Sequence, residues 1–103
     1  MDNAAHHPRH DLADVIHAPV RLSVVAALAR LDEADFRFLR DTVEVSDSLL
    51  SKHLTTLEAA GYVEITKRGS GRRPQTWVRL TPTGRAAFAA YREALRRIVD
   101  PPD

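Results

Sequence analysis

Residues 43–63 read VEVSDSLLSKHLTTLEAAGYV, and the way this stretch starts and stops decides the fold. Ser46 is a good helix N-cap, and Val45 before it can pack on Leu50 at the fourth helical position. Leu50, Leu54 and Leu57 recur at helical spacing as an inward stripe, and Gly61 suits the stop. The spacing predicts a helix over 47–60. Upstream, Asp35 is placed to cap a helix over 36–43, with Phe36, Leu39 and Val43 at i, i+3 and i+7. Only Glu44, Val45 and Ser46 separate the two helices, so they lie close together and cannot run parallel. That is helix-turn-helix spacing. Phe38 falls off the apolar stripe and is expected at the surface, where it could meet a partner subunit or a ligand.

After Gly61 the period changes from helical to two. Val63 and Ile65 alternate with Glu64 and Thr66, and Val78 and Leu80 alternate with Trp77 and Arg79. The intervening KRGSGRRPQTW, residues 67–77, is rich in Gly, Arg, Ser and Pro and turns the chain into an antiparallel hairpin with a charged tip. Thr81 then caps a last helix with Pro82 at its first position. Along it Gly84, Phe88, Tyr91, Leu95 and Ile98 form a seam suited to another helix. At ~27 Å this helix carries too much apolar length for a small domain to cover alone. Before the helix-turn-helix, DLADVIH at 11–17 reads as a short helix with Leu12, Val15 and Ile16 on one side. A second helix over 19–31 begins at Pro19 and presents Leu22, Val25, Leu28 and Ala29.

The expected fold is mainly α with a small β-hairpin (α+β): a winged helix-turn-helix of about five helices with a two- to three-stranded antiparallel wing. Residues 1–10 read as a flexible tail, 11–99 as the domain with dimerisation helices at both ends, and 100–103 as a second tail.

The 103 residues suffice for one core. Apolar residues make up 44% and charged residues 28%, which fits a globular domain rather than a disordered chain. The absence of cysteine excludes disulfides, thiolate nucleophiles and Cys-ligated metals, and suits a reducing cytosol. No run is long and apolar enough to span a bilayer, and the opening MDNAAHHPRHD is too polar for a signal peptide. The expected location is the cytoplasm. The net charge of +1 hides a polarised chain: residues 1–66 hold 6 Lys/Arg and 11 Asp/Glu, residues 67–103 hold 9 and 3. Between Glu64 and Glu93 there is no acid, whereas Lys67, Arg68, Arg72, Arg73, Arg79, Arg85 and Arg92 all fall inside. Such a surface suits a polyanion.

A helix-turn-helix with a charged hairpin has a shape that DNA can accept. The major groove, ~12 Å wide, admits an α-helix, and the ~6 Å minor groove admits an arginine side chain. Projected at 100° per residue, the helix over 47–60 turns Ser48, Ser51, Lys52, Thr55, Thr56 and Ala59 away from its leucines, with Leu49 at the edge. Short hydroxyls and one lysine can approach bases and phosphates closely. At the wing tip Arg72 and Arg73 can reach a narrow minor groove. His53 falls nearer the core side and reads as structural. No set of nucleophile, base and metal ligands converges, so no catalysis and no cofactor are expected. Asp32, Glu33 and Asp35 read as a solvated loop and a cap. His6, His7 and His10 could ligate a metal, but their place in a tail assigns them no role.

VSDSLLSKHLTTLEAAGYVEITKRGSGRRPQTWVRLTPTGRAAFAAY resembles the winged helix-turn-helix core of bacterial and archaeal regulators of the MarR/ArsR superfamily, in their short stand-alone form. HAPVRLSVVAAL, with Arg21, is similar to the ArsR-type opening segment. The resemblance implies a homodimeric DNA-binding transcription regulator whose first and last helices form the dimer interface, involving Leu12, Val15, Ile16, Phe88, Tyr91, Leu95 and Ile98. It places DNA contacts on Ser48, Leu49, Ser51, Lys52 and Thr55 and, in the wing, on Arg68, Arg72 and Arg73. Metal-sensing relatives use a cysteine pair before the turn or a His/carboxylate set on the last helix; ADFRFLRD and a last helix without His supply neither. The partners expected are double-stranded DNA, a second copy and an unidentified small-molecule effector, with no membrane. Repression is favoured by the small surface left over. The alternative is a winged helix that binds protein or RNA.

Overall fold

The computed structural model describes residues 6–69, 71 and 73–102. Its order is α1 (Pro19–Ala29), β1 (Ala34–Asp35), α2 (Phe36–Val43), α3 (Asp47–Ala59), β2 (Val63–Arg68), β3 (Gln75–Leu80) and α4 (Pro82–Val99), preceded by a 3-10 helix at Pro8–Asp11. The three strands form an antiparallel sheet in the order β1-β3-β2. The architecture is the winged-helix α+β fold, with four α-helices among the described residues rather than about five.

The missing helix is the one expected over 11–17. Ile16 and His17 both turn back to the Ala13 carbonyl, at 3.0 and 2.8 Å, and the turn goes no further. Ala18 precedes Pro19, which disfavours helical backbone before it; Ala18 is extended at φ −147°, ψ 129°. The tail boundary at residue 10 also moves, because Pro8 starts the 3-10 helix with His7 as its cap. At the other end α1 stops at Ala29, two residues early, where the Arg85 guanidinium donates to the carbonyls of Ala29 and Leu31 at 3.3 and 3.0 Å. A cation on the last carbonyls of a helix is a favourable stop.

The core joins α1, β1, α2, α3, β2 and β3 through Val24, Val25, Leu28, Ala34, Leu39, Leu50, Leu54, Leu57, Val63, Val78 and Leu80, with Phe88 of α4 packed against it. The Asp35 side chain accepts from the Arg37 amide and Ser46 from the Leu49 amide, so both expected caps form. Glu44 ends α2 in the left-handed region at φ 62°, ψ 55°, which makes the tight turn. Arg40 then bridges Asp41 and Asp47, each at 2.9 Å, tying the last turn of α2 to the first of α3. The crossing of the two helices is thus held by a charged link as well as by leucines.

Candidate nucleic-acid interface

On α3, Ser48, Leu49, Ser51, Lys52 and Thr55 are exposed, while Thr56 is half-buried. Thr55 and Thr56 donate their hydroxyls back to the carbonyls of Ser51 and Lys52, at 3.0 and 3.3 Å. Their hydroxyl protons are spent inside the helix, so Thr55 offers an acceptor and a methyl outward. Ser51 and Lys52, with Ser48 beside the Ser46 hydroxyl at 3.3 Å, remain the polar groups with freedom to reach a base or phosphate.

Strand alternation separates the wing's cations. Val63, Ile65 and Lys67 share one face of the sheet with their partners Leu80, Val78 and Thr76. The first two pairs belong to the core side, so Lys67 and Thr76 continue that side past the core's edge, toward α3. There they line a groove of about 410 Å³ with Asp47, Ser51 and Thr55. Lys67 and Thr76 are therefore candidate interface residues that the sequence reading did not place beside α3, although the period of two that starts at Val63 points to Lys67.

Arg68 goes to the other face. Its guanidinium grips the Glu33 carboxylate in a fork, at 2.8 and 2.5 Å, and lies 5.3 Å from the Trp77 ring centre. This ion pair holds the Glu33 carboxyl below its usual range and raises Arg68. Arg68 is thus engaged within the chain, and Glu33 is a partner rather than an idle loop acid. The other cations of the acid-free stretch divide similarly: Arg79 pairs with Glu64 at 2.6 Å, Arg85 caps α1, and Arg92 lies over Phe88 at 5.9 Å. Among the described residues Lys67 and Arg73 are left exposed with neither an ion pair nor a carbonyl or ring contact of this kind; Arg72 lies outside the described residues.

Behind α3, Arg21 donates from Nε to the Val15 carbonyl at 2.6 Å and from Nη1 to Nδ1 of His53 at 3.2 Å. His53 is half-buried and structural in this geometry, with its free proton on Nε2. Burial, then the Arg21 and Lys52 charges, hold its pKa below the ordinary 6.5. The unfolded chain takes up a proton as the pH falls through 6.5 while the folded chain does not, so stability is full above that pH and declines below it. The melting temperature should fall between about pH 7 and pH 5.5, and His53→Gln should flatten that slope. An equal slope in both proteins would mean that other groups cause it.

The residues expected at a dimer interface fall into two sets. Ile16 and Tyr91 are buried within the single chain, and Tyr91 hydrogen-bonds His17 at 2.8 Å, because the segment before α1 packs across α4. Leu12, Val15, Phe88 and Ile98 are half-buried, and Leu95 is 37% exposed. Val99, 67% exposed, extends that apolar face. Gly84 does not belong to the seam; it is buried against the Tyr62 backbone. In the N-terminal segment His6 lies 2.9 Å from Asp11, and His7 accepts the Arg9 amide. Among the described residues no group of three metal-capable side chains converges, and no helix is long and apolar enough to cross a membrane.

A family model described as "Winged helix DNA-binding domain" matches residues 20–99. The chain is 32% identical over 77 residues to the uncharacterized protein MJ0432 of Methanocaldococcus jannaschii, covering 75% of this chain and 84% of that one. A transcriptional regulator homologue from Pyrococcus horikoshii OT3 superposes with a TM-score of 0.79 at 25% identity, over 85% of this chain and 87% of that one. The same fold is seen in the homodimeric DNA-binding domain of Mb0332 from Mycobacterium bovis, a possible ArsR-family transcriptional regulator. Its TM-score is 0.72 at 16% identity, over 97% and 91% of the two chains. Family and fold are those of DNA-binding transcriptional regulators, not enzymes. With its capped helix-turn-helix, its three-stranded wing and this match over most of its length, the chain belongs to the winged helix DNA-binding domain family.

Proposed function

We propose that the protein is a homodimeric, sequence-specific regulator that represses transcription in the cytoplasm by occupying an inverted-repeat operator. In this reading α3 enters the major groove and the wing meets the adjacent minor groove. The observation that carries it is the exposed outer face of α3, with Ser48, Ser51 and Lys52, beside the groove that Ser51 shares with Lys67. Hydroxyls and cations there suit phosphates and base edges, whereas a protein-docking surface would be more apolar.

The dimer is supported by the apolar side chains that α4 leaves exposed beyond the N-terminal segment packed on it. The molecule extends 59 × 24 × 21 Å with a radius of gyration of 15.8 Å, against ~13 Å for a compact domain of this length. Leu95 and Val99 are exposed on this helix, and the Mycobacterium bovis domain of the same fold is homodimeric. An effector would sit in the apolar hollow of about 400 Å³ between α1 and α2, beside Leu31 and Phe38.

Selection from a random duplex pool by the purified protein tests the reading. The expected product is a two-fold symmetric motif with half-site centres ~34 Å apart. An asymmetric motif would remove the dimer, and no enrichment by folded protein would favour a protein- or RNA-binding module.

A further inference from the structure

The wing has a second hollow on its other flank. A cavity of about 310 Å³ opens where the start of α2 meets the root of the hairpin, at the small end of the range for ligand sites. Its polar lining is Arg37, Arg68, Arg73, Gln75, Thr76 and Asp35. Three arginines and one aspartate thus line it. That carboxylate is engaged, since Asp35 accepts the Arg37 amide at 3.2 Å, and this cap also occupies the helix end. Arg68 already holds the Glu33 carboxylate in a fork, so one wall of the cavity binds an oxyanion supplied by the chain itself. The side chains of Arg37 and Arg73 are exposed and make no ion pair among the described residues.

Phe36 and Thr76 line both this cavity and the groove that holds Lys67, so the two hollows lie back to back. The hairpin root therefore carries free cationic groups on both flanks. We propose that the second cavity is a phosphate seat, in which Arg37 and Arg73 clamp one phosphate-type oxyanion while Thr76 and Gln75 supply neutral hydrogen bonds. Guanidinium forks suit that geometry. Two sources present this chemistry. A minor groove is walled by two phosphate backbones, so a hairpin entering it has one strand on each side; one passes Lys67 and the other reaches the Arg37 cavity. This source rests on the DNA-binding reading. A free phosphorylated small molecule is the other source and does not.

Two measurements on the full chain decide. Inorganic phosphate is titrated into the protein alone while the amide resonances of Arg37, Gly69 and Thr76 are followed. DNA affinity is measured across a range of salt for the protein and for Arg37→Ala, on the selected duplex or, without one, on a random-sequence duplex. Backbone phosphate in the seat gives about tenfold weaker binding by Arg37→Ala, with the slope of log K against log salt shallower by about one per subunit and sequence preference unchanged. Free oxyanion gives saturable shifts at those three amides that Arg37→Ala abolishes. Unchanged affinity and slope together with no saturable shift overturns the proposal. If the unaltered protein binds no duplex, the DNA reading fails, and the phosphate titration alone decides the seat.

Discussion

Gly84→Ala is expected to destabilise the fold by about 3 kcal/mol and to lower the melting temperature by roughly 12–24 °C. Inside an exposed helix the same change normally stabilises, by up to ~1 kcal/mol. Here a Cβ on Gly84 would stand 2.1 Å from the Tyr62 carbonyl oxygen and 2.9 Å from its carbon, closer than van der Waals contact permits. Neither side can yield cheaply. The Tyr62 carbonyl accepts the Thr81 amide at 3.0 Å, and the Thr81 hydroxyl donates to the Gly61 carbonyl at 2.6 Å while capping the Gly84 amide at 2.9 Å. To admit a methyl group, α4 must lift from the exit of α3, and those bonds lengthen together. Urea denaturation of the two proteins measures the difference; a loss under about 1 kcal/mol would show that the helix start adjusts freely and that the close approach is not structural.

That contact marks the limit of what the sequence discloses. Gly84 falls on the helical spacing of Phe88, Tyr91 and Leu95, so periodicity enrols it in a seam, and only the position of Tyr62 reveals a backbone-to-backbone approach. Caps and turns were legible because their causes are local: Asp35, Ser46 and Thr81 each accept from an amide two or three residues on, and Gly61 has the positive φ of +79° that its place after α3 requires. β1 was not resolved as a strand, since two residues carry no period and Ala34–Asp35 becomes one only by pairing with Val78 and Trp77.

The site was half legible for the same reason. The outer face of α3 follows from helical geometry alone. Which cations stay free does not, because the groups that engage them are distant in sequence: Glu33 lies 35 residues from Arg68, and the Leu31 and Ala29 carbonyls at the exit of α1 lie 54 and 56 residues from Arg85. A stretch that reads as uniformly basic is therefore mostly neutralised or tied down in the folded chain, and its polyanion-facing part contracts to a few side chains around the wing.

Lys67→Ala should accordingly weaken operator binding at least tenfold, whereas Arg79→Ala should leave it within about threefold. Both changes remove one positive charge from the same sheet, so a purely long-range electrostatic effect would make them equal. Alternation places them on opposite faces: Lys67 shares the groove with Ser51 and Thr55, and Arg79 pairs with Glu64 at 2.6 Å on the far side. A lysine on a phosphate releases about 0.9 counterion, so two subunits should make the slope of log K against log salt shallower by about two for Lys67→Ala. For Arg79→Ala the slope should hold, and an exposed pair of this kind contributes at most ~1 kcal/mol to stability. Fluorescence anisotropy at several salt concentrations measures both. Equal losses for the two variants would mean that long-range charge alone acts and that the groove between α3 and the wing does not carry the DNA strand, whereas a larger loss for Arg79→Ala would move the contact surface to the outer face of the sheet.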